Sequence, residues 1–182
     1  MDAALALPRC TQRPKLGETL RYLGLLSGAE VEIALGRQVN EGGRLGTCLL
    51  DTGLVDEATL LAALGAQLQV ATVDAATLAA VPQANATLLP VRAALVARAV
   101  PLARNGRTLE VAMLDPGSLR LLDELAAVSR MVIVPRLALE VRLTECLERL
   151  YDQTISGRLA RTRARDALKP EPCAAPRTRT VR

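Results

Sequence analysis

Two cations and two amides stand at matching positions of two similar segments, and their types and spacing suit the binding of a nucleotide base. Lys15 and Arg44 are each followed directly by Leu-Gly, and Gln38 and Gln67 close the same two segments. An arginine offers a planar fork of donors to the O6 and N7 acceptors of guanine. A glutamine amide both donates and accepts, which suits a base edge. Two such sets favour a ligand with two similar halves, whereas the alternative is a pair of stacked helical hairpins whose Leu and Gly positions serve packing only.

The segments that carry these residues form an internal repeat. Residues 15–38 and 44–67 are identical at 10 of 24 aligned positions, and the period is 29 residues. Self-similarity of this kind indicates that one supersecondary unit is built twice. The leucine spacing within each copy predicts a pair of helices.

Local signals place the helices of each pair. The first helices are predicted over residues 16–23 and 45–52. Gly24 and Gly53 are expected to end them, because glycine readily takes the left-handed conformation. In copy one, Ser27 and Glu30 form a capping box that starts the second helix. In copy two, Asp56 takes the capping position.

After the repeat the chain changes to a mixed pattern of short strands and helices. Asn105-Gly106 lies between two apolar runs and predicts a β-hairpin. The predicted order is β-α-α-β-β-α-β-α. The predicted strands cover residues 70–73, 100–103, 108–114 and 131–134, and the predicted helices cover residues 78–81, 90–97, 118–128 and 137–151.

The fold class predicted from these elements is α+β, with tandem helical hairpins followed by a small α/β subdomain that contains a β-hairpin. A disordered basic tail is predicted at the C-terminus, because that part is rich in Arg, Pro and Thr and poor in apolar residues. The predicted extents are 1–12 for an N-terminal extension, 13–68 for the repeat, 69–155 for the α/β subdomain and 156–182 for the tail.

Composition argues against several classes of enzyme. The chain has no His, so it cannot form a Ser-His-Asp triad, a Cys-His pair or a His-bound zinc site. Its four cysteines form no CxxC pair, and there is no glycine-rich phosphate loop of the GxxxxGK[ST] type. We therefore expect no catalytic residue, no metal site and no cofactor.

The net charge of +4 comes from the C-terminal part of the chain. Residues 151–182 carry 8 basic and 3 acidic side chains, and four of the arginines form a cluster at Arg158, Arg161, Arg163 and Arg165. Such a cluster could contact nucleic acid or an anionic membrane surface, although a solvated linker is the more ordinary reading. No signal peptide or membrane-spanning run is present, so the sequence predicts a cytoplasmic protein without membrane insertion.

The tandem motif resembles a known family. It is similar to the N-terminal domain of type II secretion and type IV pilus assembly ATPases, in the form that binds cyclic di-GMP. The family pattern has two 24-residue motifs, each opening with Arg-Leu-Gly and closing with Gln, separated by five residues. Residues 44–67 fit this pattern throughout, and residues 15–38 fit with exceptions. The similarity extends over residues 13–151 and includes Pro90, Ala94, Val100-Pro101-Leu102, Val111-Ala112-Met113 and Asp115-Pro116.

The resemblance implies that each motif holds one guanine-ribose-phosphate half of cyclic di-GMP. It assigns one half-site to Lys15, Leu16, Gly17, Val31, Leu35 and Gln38, and the other to Arg44, Leu45, Gly46, Leu60, Leu64 and Gln67, with Asp115 completing the pocket from the α/β side. It also implies a partner protein in a secretion or pilus machinery.

Copy one departs from the family pattern at three positions. Lys15 replaces an arginine and cannot give a planar two-pronged contact. Arg21 stands where the pattern has an apolar residue and is expected to disturb packing, and Val31 is smaller than the usual leucine. We therefore expect weaker binding than in family members with two intact motifs. The alternative is a protein-interaction adaptor that has lost nucleotide binding.

Overall fold

Four helices carry the two repeats. The structure, a computed structural model, describes residues 15–154. The predicted extension at 1–12 and the predicted tail at 156–182, with its arginine cluster, lie outside the described residues. The four helices are α1 (Leu16–Tyr22), α2 (Gly28–Glu41), α3 (Leu45–Thr52) and α4 (Glu57–Leu68).

The predicted start and stop signals of these helices are confirmed. The Ser27 hydroxyl accepts from the Glu30 backbone N–H at 3.3 Å, and the Glu30 carboxylate accepts from the Ser27 N–H at 2.7 Å. The Asp56 carboxylate accepts from the Thr59 backbone N–H at 2.9 Å and caps α4. Gly53 ends α3 with a φ of 68°, in the left-handed region that favours glycine.

The two copies pack against each other so that an approximate two-fold rotation relates them. Helix α1 contacts α4, and its counterpart α3 contacts α2. A Cβ on Gly17 would lie 3.7 Å from Leu45 Cδ2, and a Cβ on Gly46 would lie 3.8 Å from Leu16 Cδ2. Each glycine of a Leu-Gly pair therefore faces the leucine of the other copy, and the two motif openings meet at the centre of the repeat.

The remainder is a small α/β unit around a three-stranded sheet. Strand β1 pairs antiparallel with β2, and β2 pairs parallel with β3 in the order β1-β2-β3. Gly106, with a φ of 61°, lies in the two-residue turn of the β1–β2 hairpin. The elements are α5 (Ala75–Ala79), a 3-10 helix (Gln83–Leu88), α6 (Val91–Ala97), β1 (Ala99–Asn105), β2 (Thr108–Met113), α7 (Leu119–Ser129), β3 (Val132–Leu137) and α8 (Glu140–Tyr151).

Several predicted boundaries in the α/β part were wrong. The strand expected at 70–73 is reduced to an isolated bridge between Thr72 and Leu137. The strand expected to end at 134 continues through Pro135 to Leu137, because proline is tolerated on an edge strand. The final helix therefore begins at Glu140 and not at Leu137.

The predicted helix at 78–81 begins earlier, at Ala75. The Asp74 carboxylate accepts from the Thr77 backbone N–H at 2.8 Å and fixes this start. The 3-10 helix at Gln83–Leu88 was not predicted, because its short polar sequence shows no apolar period.

Two apolar cores hold the fold, and the end of β3 joins them. One core lies between the sheet and its helices, and it includes Val100, Val111 and Leu147. The other lies among α1–α4, and it also takes in Leu137 and Leu139 from the β3–α8 junction. The α+β prediction is confirmed. Among residues 15–154, no helix is both long enough and apolar enough to cross a bilayer.

Gly65 and Gly36 occupy the same position of the two motifs and provide a matched test of packing. A Cβ on Gly65 would lie 2.5 Å from Thr72 Cγ2 and 3.3 Å from the Val70 carbonyl oxygen, whereas a Cβ on Gly36 would meet nothing within 4 Å. We expect Gly36→Ala to raise the free energy of unfolding by up to ~1 kcal/mol, through helix propensity. We expect Gly65→Ala to lower it by ~1–2 kcal/mol, through overpacking. Urea unfolding measures both values, and an equal gain for the two variants would contradict the packing described here.

A fall in pH should lower the free energy of unfolding, partly because the carboxylates that cap the helices become protonated. Hydrogen bonds from the Thr59 side chain and backbone hold the pKa of Asp56 below its usual 3.8. The folded state therefore binds fewer protons than the unfolded state, so this stabilisation is present above that value and is lost as the pH falls through the lowered pKa. Asp56→Asn keeps an acceptor oxygen for the cap but does not titrate. We expect the urea midpoint of the wild-type protein to fall more between about pH 5 and pH 2 than that of the variant. Parallel pH profiles would contradict this.

Candidate ligand cavity

A cavity lies between the helical repeat and the α/β unit. Its volume is about 410 Å³, within the range of ~300–1,000 Å³ typical of small-molecule sites. Its walls come from the repeat on one side, and from the β2–α7 loop and the β3–α8 junction on the other. The lining residues are Leu16, Gln38, Gly43, Arg44, Leu45, Gly46, Thr47, Leu50, Leu60, Leu64, Leu68, Leu114, Asp115, Leu137, Ala138, Leu139, Glu140 and Val141.

The cavity brings together most of the residues predicted for copy two and a few from elsewhere. Arg44 is the N-cap residue of α3, but its side chain makes no capping bond. The Leu60 side chain is fully buried and packs over Gly46. The predicted residues that line the cavity are Leu16, Gln38, Arg44, Leu45, Gly46, Leu60, Leu64 and Asp115.

The remaining predicted residues lie elsewhere on the repeat. Gly17 is buried against Val31, whose Cγ1 would lie 2.9 Å from a Cβ at that position. Lys15 and Leu35 are exposed on copy one, and Gln67 is half-buried on α4. None of these five residues lines the cavity.

The amide that accompanies Arg44 is the one from the other copy. Sequence analysis grouped Arg44 with Gln67, whereas the cavity places it with Gln38. The Gln38 Nε2 donates to the Gly43 carbonyl oxygen at 2.9 Å, which fixes the amide next to the start of α3. The difference follows from the packing of α2 against α3, which brings Gln38 to the start of α3.

The α/β unit covers copy two and leaves copy one open. Leu50 lines the cavity, whereas Arg21 at the same motif position is exposed. The Arg21 guanidinium lies about 4 Å from the place where a Gly28 Cβ would be. The expectation that Arg21 disturbs the packing of copy one is therefore wrong, because its side chain lies on the surface.

Sequence analysis missed Glu140, the polar side chain with the most defined contacts in the cavity. Its Oε2 accepts from Thr47 Oγ1 at 3.1 Å, and its Oε1 accepts from Arg98 Nη1 at 2.7 Å. Thr47 and Glu140 are 93 residues apart in the chain. No local pattern reports a contact at that separation, so only the folded structure could reveal it.

The cavity is thus an apolar groove of leucines with a few polar groups. The charged side chains on it are Arg44, Asp115 and Glu140. A site of this kind can hold a planar ring between leucines, while its polar groups set orientation. Among the described residues, no group of three or more Cys, Asp or Glu could hold a metal ion.

The buried thiol of Cys146 lies in the other core and is unsuited to nucleophilic chemistry. Burial raises its pKa, and the Sγ contacts the Leu78 carbonyl oxygen at 3.3 Å. A thiol with a raised pKa stays protonated at neutral pH and is inert as a nucleophile.

The leucine wall of the cavity should also hold the fold together. Leu60 is fully buried, whereas Leu35 on copy one is 42% exposed. We expect Leu60→Ala to lower the free energy of unfolding by about 2–5 kcal/mol. We expect Leu35→Ala to change it by no more than about 0.5 kcal/mol. Urea unfolding of both variants checks this, and similar losses would mean that copy one is packed as tightly as copy two.

Comparison with known proteins identifies the family. Residues 67–157 match the model of the MshEN domain. Over 137 residues the chain is 32% identical to the type IV pilus assembly ATPase PilB of Myxococcus xanthus (strain DK1622), an alignment that covers 75% of this chain and 24% of PilB. The chain therefore spans about a quarter of the length of that curated relative.

Two solved structures share the fold. A structure of MshE with cdg, cyclic di-GMP, matches with a TM-score of 0.59 and 34% identity, over 76% of this chain and 100% of that chain. The N-terminal domain of XpsE matches with a TM-score of 0.54 over 77% of this chain and 98% of that chain. At 19% identity, the XpsE likeness shows the fold alone. The family match and the MshE structure together show that the chain belongs to the MshEN domain family.

Proposed function

We propose that this chain is a receptor for cyclic di-GMP and binds one guanine half of the ligand in the cavity between the repeat and the α/β unit. The observation that carries the proposal is the meeting of Arg44, Gln38 and the motif leucines on one cavity. Further support comes from the 34% identity to MshE, whose structure was solved with cdg.

Each group in the cavity has a matching part of the ligand. The Arg44 guanidinium can donate to the O6 and N7 acceptors of guanine. Leu60 and Leu64 supply an apolar wall for the ring, in place of the aromatic side chains that this chain largely lacks. The Gln38 amide can both donate to and accept from a base edge.

The second half of the ligand would contact copy one. By the approximate two-fold relationship of the copies, we assign Lys15, Gly17, Val31 and Leu35 to this half, together with Gln67 from copy two. Lys15 and Leu35 are exposed, so this half-site is open to water. A lysine is a point charge that attracts phosphate but does not fix a base plane. The proposed binding is therefore asymmetric, with one enclosed half and one open half.

The proposed role is regulatory and not catalytic. PilB is a type IV pilus assembly ATPase, and the chain aligns with 24% of it. We infer that ligand binding here biases contact with a component of a secretion or pilus machinery in the cytoplasm. Such coupling requires the ligand to bind one of two states of the protein more tightly than the other.

Removing Arg44 should weaken the ligand directly. Loss of a bidentate contact to guanine costs ~1–3 kcal/mol, so Arg44→Ala should lower the affinity for cyclic di-GMP by about 5- to 150-fold in isothermal titration. Arg120→Ala is the control, because Arg120 is exposed on α7, pairs with Glu124 and does not line the cavity. Equal affinity for the wild-type protein and Arg44→Ala would remove Arg44 from the site, and no heat from the wild-type protein would remove the function.

Restoring the family residue in copy one should strengthen binding. Lys15→Arg places a planar fork of donors where the chain now has a point charge. Lys15 is exposed, so the change should leave the free energy of unfolding within about 0.5 kcal/mol of the wild type. We expect the affinity for cyclic di-GMP to rise by about tenfold. An unchanged affinity in isothermal titration would mean that copy one does not contact the ligand.

A second candidate function is a protein-interaction adaptor without a nucleotide. It is favoured by exposed apolar side chains on copy one and on the spacer that follows it, such as Ile33 at 60% and Val39 at 84% exposure. Tyr22 and Leu25 are also exposed on the same copy. Exposed apolar side chains of this size favour contact with a partner protein. The absence of any heat with cyclic di-GMP would favour this reading over the receptor.

A further inference from the structure

Glu140 places a fixed negative charge on the wall of the cavity. It is the first residue of α8, and its two carboxylate oxygens accept from Thr47 of α3 and Arg98, the residue that ends α6. These donors come from both halves of the molecule, so the carboxylate is held in one orientation. Its side chain remains 20% exposed, and it lines the same cavity as Arg44.

The contacts already made leave acceptor capacity on both oxygens. An ionised carboxylate has about four lone-pair positions on its two oxygens. Thr47 and Arg98 each use one oxygen. Each oxygen can therefore accept one further hydrogen bond from a group inside the cavity.

The chemistry of a carboxylate selects which part of a nucleotide can lie against it. A phosphate would be repelled, because both groups are negative. The guanine N1–H and N2–H₂ groups form a pair of adjacent donors that matches the two oxygens of a carboxylate. Adenine presents an acceptor, N1, beside its amino group, so one oxygen would face a lone pair and lose its bond.

We propose that Glu140 is a specificity-determining residue that accepts from the N1–H and N2–H₂ edge of the guanine in the cavity, which rests on the proposed function of the site. Arg44 then reads the acceptor edge of the same base, at O6 and N7. The pair selects guanine over adenine and over hypoxanthine, which lacks the 2-amino group. Thr47 and Arg98 act as positioning residues, because they hold the carboxylate in place.

The test compares Glu140→Gln with the wild-type protein by isothermal titration against cyclic di-GMP, cyclic di-IMP and cyclic di-AMP. The glutamine keeps an oxygen for Arg98 and an amino group for Thr47 but replaces one acceptor by a donor. We expect its affinity for cyclic di-GMP to fall by about tenfold and its preference for cyclic di-GMP over cyclic di-IMP to vanish. Glu145→Gln is the control, because Glu145 pairs with Arg142 on the same helix and does not line the cavity.

The outcomes separate the proposed function from the role of Glu140. No binding of cyclic di-GMP by the wild-type protein overturns both. Wild-type binding with an unchanged preference in Glu140→Gln overturns the role of Glu140 and leaves the receptor function standing. The role of Glu140 is also overturned if Asp115→Asn, and not Glu140→Gln, loses the preference for cyclic di-GMP over cyclic di-IMP. If Glu140→Gln does not fold, the wild-type titrations still decide, because equal affinity for cyclic di-GMP and cyclic di-IMP contradicts the proposal.

Discussion

The candidate site depends on the burial of Leu137 and Leu139 in the core of the helical repeat. These residues lie at the junction between β3 and α8, and both are more than nine-tenths buried. Burying a leucine contributes about 1.5–3 kcal/mol relative to leaving it in water, so this contact fixes the α/β unit against the repeat. Backbone hydrogen bonds tie the segment that follows α4 to the same position, because the Leu137 carbonyl accepts from Val73 N–H and the Leu137 N–H donates to the Ala71 carbonyl, both at 2.8 Å. The cavity is the space that remains between the docked α/β unit and α3.

Because the α/β unit packs on copy two and leaves copy one open, the two copies of the duplicated sequence have different surroundings. The two motifs share three glycines, four leucines and their closing glutamines, yet only copy two is covered by the α/β unit. The consequence is visible at paired positions: Leu50 lines the cavity while Arg21 is in solvent, and Gly65 is packed against Thr72 while Gly36 faces nothing. A polar residue at an exposed position of copy one displaces no packed side chain, so copy one tolerates departures that copy two could not accept. A symmetric dinucleotide would meet two unlike half-sites.

The sequence alone was enough to predict features that depend on neighbouring residues, such as helix caps and turns. It was not enough to predict contacts between segments that are far apart in the chain. The helix caps at Ser27 and Asp56 and the turn at Gly106 follow from the chemistry of a few adjacent residues, so they could be predicted. The residue types of the copy-two site were predicted from the motif. Which glutamine accompanies Arg44 depends on the packing of α2 against α3, so periodicity could not reveal it. Glu140 is 93 residues from its partner Thr47, and its position depends on β3 running through Pro135, where the pattern had suggested a stop.

We propose that cyclic di-GMP binds in the copy-two cavity, which the β3–α8 junction closes. Titration of the isotopically labelled chain with cyclic di-GMP, followed by amide chemical shifts in NMR spectra, tests it most directly. We expect the largest shifts to fall together on Arg44–Thr47, Leu114–Asp115 and Leu139–Val141, because these segments line one cavity. Shifts confined to the exposed residues of α2, with the β3–α8 junction unmoved at saturation, would contradict it.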